Sequence, residues 1–169
     1  MIKEVKELIS EGLWDYEIKK MLNNDVSIYI YDKIKNFNHI DDLFKDSDNV
    51  VLLYETSKNW GHWVCLFKKN NTIYFFDSYG YIPDDELKFT HRKSHKILLN
   101  MMYESGYDVD YNNHQLQTKG KNIATCGRWC VERLKNKNMS TDDFAKTFFK
   151  LSKEFKQIPD FFITLLNIS

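Results

Sequence analysis

Two cysteines lie four residues apart in the stretch NIATCGRWCVERL, residues 122–134, where the pattern indicates the beginning of a helix. Cys126 follows a polar loop and precedes Gly127, so we expect it in the first helical turn. Unpaired amide N–H groups and the helix dipole stabilise a thiolate at such a position. Cys130 would lie one turn later on the same face. Taken alone, either cysteine is better explained as a small buried hydrophobic residue.

Metal and redox chemistry fit these cysteines poorly. A zinc site needs further thiolate or imidazole ligands, and the chain has no second cysteine pair. A dithiol redox motif has two residues between its cysteines, whereas three separate Cys126 from Cys130. The sequence therefore predicts no metal. Because 3 cysteines are an odd number and too few for a disulfide framework, it also favours a reducing, intracellular setting.

A histidine and an aspartate are placed where they could activate a thiol. His62 enters an apolar run between Gly61 and Trp63, and Asp77 closes the aromatic run TIYFFDSYG fifteen residues later. Each has an ordinary alternative, a satisfied core histidine and a turn-capping aspartate. If their runs are paired strands, however, the two side chains come within about 5 Å of each other. With Cys126 they would then form a nucleophile, a base and an orienting carboxylate.

An oxyanion formed on the substrate would need hydrogen-bond donors. The backbone N–H of Cys126 is one candidate, and a glutamine from the preceding segment could supply another. Gln115 and Gln117 are both available and would face the same way on a strand. The residues alone leave open which of them serves.

The elements that must position these residues can be read from periodicity. Helical spacing predicts helices over 2–10, 14–22, 94–105, 126–137, 140–156 and 159–166, with helix starts near 41–44 and 83–87. Short apolar or alternating runs predict strands over 50–56, 62–69, 71–80 and 107–117, with a hairpin turn at Asn70-Asn71. Helix and strand compete over 26–34. Central strands with helices on both sides indicate an α+β fold, and the length favours one domain spanning 1–169.

Charge and hydropathy limit the function classes. The 24 basic and 24 acidic residues cancel, but residues 117–169 hold 10 Lys and Arg against 5 Asp and Glu. This basic C-terminal third could bind DNA weakly, although a solvated lysine face is the simpler explanation. No apolar run reaches the length of a membrane span and the first residues do not resemble a signal peptide, so we expect a soluble protein that is not secreted.

Taken together, the motifs resemble those of the adenovirus-protease and Ulp-type cysteine peptidases. The family has the order His, Asp or Glu, Gln, Cys, with His followed by Trp and Cys followed by Gly. Here GHW at 61–63, FDSYG at 76–80, QLQ at 115–117 and TCGRWC at 125–130 follow that order. The matching region covers roughly residues 50–134, and its wording is most similar to maturation proteases of large DNA viruses and virophages. Papain-like enzymes are excluded because they place the Cys before the His.

The resemblance implies a central mixed β-sheet flanked by helices, and a role for each matching residue. Cys126 would be the nucleophile, His62 the base, Asp77 its orienter and Gln117 the oxyanion donor. Trp63, Gly61 and Gly127 are carried over as substrate-binding residues, although core packing explains Trp63 equally well. The family's Gln lies six or seven residues before the Cys, whereas Gln117 lies nine before and Gln115 eleven before, so the intervening loop must be longer here.

The implied function is that of a cysteine endopeptidase that cleaves virion precursor proteins at Gly-containing sites. A ubiquitin- or SUMO-like deconjugase, an acetyltransferase with the same triad and an inactive binding module are the alternatives. We expect a monomer without cofactors that acts on protein substrates, away from membranes, in the host cytoplasm and in the virion. Adenoviral members of the family are assisted by DNA and a small peptide, so the resemblance offers activation by DNA, or by a peptide captured at Cys130, as an alternative. Packing is the simpler role for Cys130.

Overall fold

The computed structural model describes residues 1–90 and 96–169, within which the chain forms an α+β fold. In chain order the elements are α1 (Ile2–Leu8), α2 (Asp15–Met21), β1 (Ser27–Ile30), β2 (Asn49–Ser57), β3 (Trp60–Lys69), β4 (Thr72–Phe76), α3 (Ile97–Glu104), β5 (Asp108–Tyr111), α4 (Cys126–Lys135), α5 (Thr141–Phe155) and α6 (Pro159–Ile168). Short 3₁₀ helices cover Tyr31–Asn36, Ile40–Asp42 and Asp85–Phe89.

The five strands form one mixed sheet in the order β1-β2-β3-β4-β5. The β2–β3 and β3–β4 pairs are antiparallel, whereas β1 runs parallel to β2 and β5 runs parallel to β4. The β3–β4 hairpin turns at Asn70, whose positive φ of 54° is the left-handed conformation that such tight turns require. This hairpin joins the strand that contains His62 to the one that leads into Asp77.

Each face of the sheet carries its own hydrophobic core, because successive strand residues point to opposite faces. On the first face, Cys65 and Phe67 pack in the core that α4, α5 and α6 complete. On the second, Val64 and Leu66 pack in the core with α3 and residues of the 3₁₀ segments. A sheet covered on both faces explains why β2 is apolar along most of its length.

Most predicted elements are confirmed, with differences at their ends. The segment 26–34, where helix and strand compete in sequence, divides into β1 and the 3₁₀ helix that follows it. Of the helix predicted over 94–105, residues 94 and 95 lie outside the described part of the chain, and α3 begins at Ile97.

The strand predicted over 107–117 is wrong in its second half. Strand β5 ends at Tyr111. The chain then turns, and the side chain of Asn112 holds this turn by hydrogen bonds to the backbone. The Asn112 side-chain amide donates to the carbonyl of Asp77 at 2.7 Å and to that of His114 at 2.9 Å. Residues 115–117 are therefore loop, so strand alternation cannot be used to orient their side chains.

Within the described residues, no helix combines the length and the apolar character needed to cross a lipid bilayer.

Candidate functional site

Cys126 is the first residue of α4, as the sequence predicts, and Cys130 lies one turn deeper. Helix α4 packs against β3, which brings the helix start to the strand that contains His62. The backbone N–H of Trp63 points at the Cys126 sulfur at 3.5 Å. Cys126 is 8% exposed and Cys130 only 1%, so access to solvent separates the two thiols. All three cysteines are free.

His62 and Asp77 form a buried hydrogen-bonded pair across the β3–β4 hairpin. His62 Nε2 lies 2.8 Å from Asp77 Oδ1. Because Nε2 is engaged by the carboxylate, the tautomer with hydrogen on Nε2 leaves Nδ1 for the thiol of Cys126. Burial is the largest single influence and lowers the pKa of His62, but the charge of Asp77 and hydrogen bonds to Asp77 and Cys126 outweigh it and raise that pKa well above its ordinary value.

The turn after β4 holds this pair in place. Asp77 Oδ1 also accepts a hydrogen bond from the backbone N–H of Tyr79 at 2.8 Å, which fixes the carboxylate toward the imidazole. The ring of Tyr79 stacks on that of His62, with centroids 4.7 Å apart and planes inclined by 13°. The imidazole is thus clamped at its edge by a carboxylate and on one face by an aromatic ring.

Gln117 reaches the same cleft and is 1% exposed. Its Oε1 accepts from the Ser78 hydroxyl at 2.7 Å, so the amide nitrogen is the end directed outward, and it lies 3.3 Å from the Tyr79 hydroxyl. The backbone N–H of Gln117 donates to the carbonyl of Ser78 at 2.9 Å. Gln115, by contrast, is exposed and donates its side-chain amide to the backbone carbonyl of Gln117 at 3.3 Å. Of the two glutamines, Gln117 is the one in the cleft.

Asp160, buried at the start of α6, ties the loop that contains Gln117 to the start of α4. One carboxylate oxygen accepts from the hydroxyl of Thr125, the residue before Cys126, and from the indole N–H of Trp129 at 3.3 Å. The other accepts from the backbone N–H of Thr118, the residue after Gln117, at 2.9 Å. The longer loop between Gln117 and Cys126 is therefore fixed at both ends by one side chain.

The residues predicted to bind substrate divide into two groups. Gly61 and Trp63 line the cleft beside His62 and Cys126. Any side chain at Gly61 would collide with the carbonyl oxygen of Tyr54, which lies 2.0 Å from the position of a Cβ. Gly127 is buried behind the cleft wall: a Cβ there would be 3.1 Å from Leu13 and 3.2 Å from the indole of Trp63, so this glycine allows α4 to pack closely against its neighbours. Its part in the substrate-binding surface stays a prediction.

Glu86 is a member of the cleft that the sequence did not single out. It lies on the 3₁₀ helix Asp85–Phe89, is 4% exposed, and places Oε1 3.6 Å from His62 Nε2. Its only sequence signal is a helix start in a polar run, which says nothing about a contact with β3. The ligand atoms of His62, Asp77 and Glu86 lie within 4.8 Å of one another, a spacing that could hold a metal ion. The 2.8 Å contact inside that group is, however, a normal hydrogen bond between imidazole and carboxylate.

Chemically, the cleft holds a thiol at a helix start, a base with a raised pKa, a carboxylate that orients the base, and a buried amide donor. These are the components needed to form and stabilise a tetrahedral intermediate on a carbonyl carbon.

Three comparisons with other proteins bear on this site. No protein-family model matches the chain. A protein of Sputnik virophage, "Uncharacterized protein V9", is 34% identical over 175 aligned positions that cover 99% of this chain and all of the relative.

Among solved structures, the fold is similar to that of the ASFV pS273R protease, with a TM-score of 0.50 and 12% identity over 80% of this chain and 61% of the protease. The chain thus spans about three fifths of the length of that enzyme. The C-terminal Ulp1 protease domain, solved with Smt3, the yeast ortholog of SUMO, is similar with a TM-score of 0.43 and 14% identity over 97% of this chain and 80% of that domain.

Proposed function

Because the chain belongs to the same family as protein V9 of Sputnik virophage, we propose that it is a viral cysteine endopeptidase that processes virion precursor proteins. One observation carries this proposal: Cys126, His62 and Gln117 line one cleft, and Asp77 is hydrogen-bonded to His62 behind it, although the four residues come from separate segments. A fold similar to that of a viral protease agrees with it.

The proposed reaction begins with proton transfer from the Cys126 thiol to Nδ1 of His62. The sulfur then attacks the scissile carbonyl carbon, and the protonated imidazole later gives its proton to the leaving amine. Asp77 keeps the hydrogen on Nε2 and stabilises the imidazolium. The Gln117 amide and the backbone N–H of Cys126 stabilise the oxyanion.

Peptides with small residues before the cleaved bond are the proposed substrates. Gly61 and Trp63 line the cleft next to Cys126, and the bulky indole there favours glycine in the substrate at that place. A Gly-Gly-X site in a capsid precursor meets this requirement. Weak DNA binding through the basic C-terminal third stays a prediction, as do the monomeric state, the absence of a cofactor and action in the host cytoplasm and virion.

The test is cleavage of virion precursor proteins with Gly-Gly sites, followed by mass spectrometry of the products. We expect Cys126→Ala and His62→Ala to lower kcat/KM by roughly 10³-fold or more, because each removes a group that takes part in bond making. Circular dichroism and thermal unfolding should show both variants folded. Undiminished cleavage by purified Cys126→Ala protein would refute the mechanism.

Two matched reactions separate the alternative functions. Ubiquitin and SUMO conjugates, offered at the same concentration as the capsid precursor, test deconjugation. Acetyl-CoA added with an acceptor protein tests acetyl transfer. Preferential turnover of either over the precursor would replace the proposed substrate class while leaving the roles of Cys126 and His62 intact.

A further inference from the structure

Two buried carboxyl groups face a single imidazole in the cleft. Asp77 Oδ1 lies 2.8 Å from His62 Nε2, and Glu86 Oε1 lies 3.6 Å from the same nitrogen. Asp77 is fully buried and Glu86 is 4% exposed, so solvent does not screen a negative charge on either carboxyl group. The ligand atoms of Asp77, Glu86 and His62 lie within 4.8 Å of one another. Repulsion between two carboxylates this close together makes it unfavourable for both to be ionised.

One oxygen of each carboxyl group is buried without a hydrogen-bond partner among residues 1–90 and 96–169, namely Asp77 Oδ2 and Glu86 Oε1. A buried polar atom left unpaired costs free energy. A proton on Glu86 would give both oxygens a partner, because a carboxylic acid can donate a hydrogen bond to Asp77 Oδ2. Asp77 Oδ1 would keep its hydrogen bond to His62.

The charges around Glu86 favour the protonated form. Burial raises its pKa most, the charge of His62 lowers it, the charge of Asp77 and a hydrogen bond to Asp77 raise it, and Lys88 on its own helix lowers it, with a net value of about 8. The other titratable groups that line the cleft are Tyr79, Tyr81, Cys126, Lys119 and Lys121. Burial raises the pKa of Tyr79, so its hydroxyl stays neutral in this range.

We propose that Glu86 is a positioning residue whose neutral carboxyl group donates a hydrogen bond to Asp77 Oδ2 and so fixes the carboxylate that orients His62. This inference rests on the proposed peptidase function and deepens it. When Glu86 ionises, the hydrogen bond is lost and a second negative charge faces the imidazolium, which then gives its proton to the leaving amine less readily. Glu86 therefore sets an alkaline limit on the reaction.

Two substitutions of similar size separate this role from simple packing. Glu86→Gln keeps a permanent neutral donor, so kcat/KM at pH 7 should stay within about 3-fold of the parent value. Between pH 7 and 9 the ratio of variant to parent activity should rise, by up to about 10-fold, because only the parent loses the donor. Glu86→Leu has no donor and should lose roughly 10-fold in kcat relative to the parent at pH 7, with little change in KM, and this difference should disappear toward pH 9, where the parent has lost its donor as well.

The control is Asp85→Asn, which removes a carboxylate from the same 3₁₀ helix but not from the cleft. It should leave both the activity and its pH profile unchanged. If Glu86→Leu equals the parent at pH 7, or if Glu86→Gln shows the parent's alkaline decline, the proposal is overturned.

A second measurement needs no activity. In the Cys126→Ala background, the thermal midpoints with Glu86 and with Glu86→Gln are compared from pH 5 to 9. A carboxyl whose pKa is raised on folding contributes stability that is complete below its unfolded value near 4.5 and is lost as pH rises through about 8. The Glu86→Gln protein should therefore gain in Tm relative to its parent as pH rises.

These two readouts fail independently. A flat Tm difference would show that Glu86 holds no extra proton in the folded protein and would overturn the inference even if cleavage is observed. A rising Tm difference without any cleavage would support the shared proton and reject the proposed peptidase function instead.

Discussion

Two His–Asp pairs in the described part of the chain are almost identical in length but differ in burial and surroundings. His62 Nε2 lies 2.8 Å from Asp77 Oδ1, and His114 Nε2 lies 2.9 Å from Asp142 Oδ1. The side chains of the first pair are 10% and 0% exposed, whereas those of the second are 31% and 69% exposed. A hydrogen-bond distance alone therefore cannot distinguish a candidate catalytic pair from a surface contact.

What differs is the surroundings of each imidazole. His62 has a thiol on one side, the ring of Tyr79 on its face and a second carboxyl group at its far edge. The ring of His114 makes an edge-to-face contact with that of Phe149, with the ring centroids 6.0 Å apart. Water and salt screen the exposed pair, and its interaction is correspondingly weak. Burial strengthens the electrostatic interaction between His62 and Asp77. The thiol of Cys126 beside them is the group that this pair could activate.

The strongest test of this contrast replaces each aspartate with asparagine. Asp77→Asn preserves the shape and the hydrogen bond from Tyr79 but removes the charge that raises the pKa of His62. We expect kcat/KM to fall by roughly 10²–10⁴-fold, and its alkaline limb to shift to lower pH, because His62 loses the stabilisation of its imidazolium. Measurement of kcat/KM from pH 5 to 9 checks both effects.

Asp142→Asn is the matched control for that experiment. It removes an equally close carboxylate from a histidine, and we expect the activity to change less than 2-fold. Comparable losses in the two variants would show that both pairs serve the reaction, and the environment argument would then be wrong.

A smaller loss is expected at the two glutamines, which repeat the contrast between buried and exposed. Gln117→Ala removes the amide donor of the cleft and should lower kcat by roughly 10²-fold with little change in KM, since the oxyanion exists only after attack. Gln115→Ala removes an exposed side chain and should leave kcat within about 2-fold. A larger effect at Gln115 than at Gln117 would show that Gln117 is not the oxyanion donor. Steady-state kinetics on one peptide substrate decide this.

The two glutamines also show where sequence reasoning ends. The proximity of His62 and Asp77 could be predicted from the sequence, because strands joined by a short hairpin turn pair with each other. Gln117 could not be oriented in that way, since β5 ends at Tyr111 and the loop after it is set by Asn112 and by the distant Asp160. The choice of Gln117 over Gln115 depended on the family resemblance.

Glu86 and Gly127 are two further residues whose surroundings could not be predicted from the sequence. Glu86 reaches the imidazole from a 3₁₀ helix whose sequence has no periodic signal, so only the assembled fold reveals it. Gly127 follows the nucleophile in the family motif, yet its place depends on how closely α4 approaches Leu13 and Trp63. A motif identifies residue types, whereas the packing of separate elements decides which surface each residue faces.

The smallest expected effect concerns the stability of the exposed pair. The hydrogen bond from His114 lowers the pKa of Asp142, desolvation opposes this, and the charges of His114 and Lys146 add to the lowering. A carboxyl with a depressed pKa contributes stability above its unfolded value near 3.8 and loses it as pH falls through the folded value. Asp142→Asn should therefore lower Tm by at most about 2 °C at pH 6, and by progressively less as the pH falls below 3.8. Because solvent screens this pair, 1 M NaCl should also abolish the difference at pH 6. A difference that survives both acid and salt would have to come from packing, and His114–Asp142 would then no longer serve as the solvent-exposed counterpart of the buried pair.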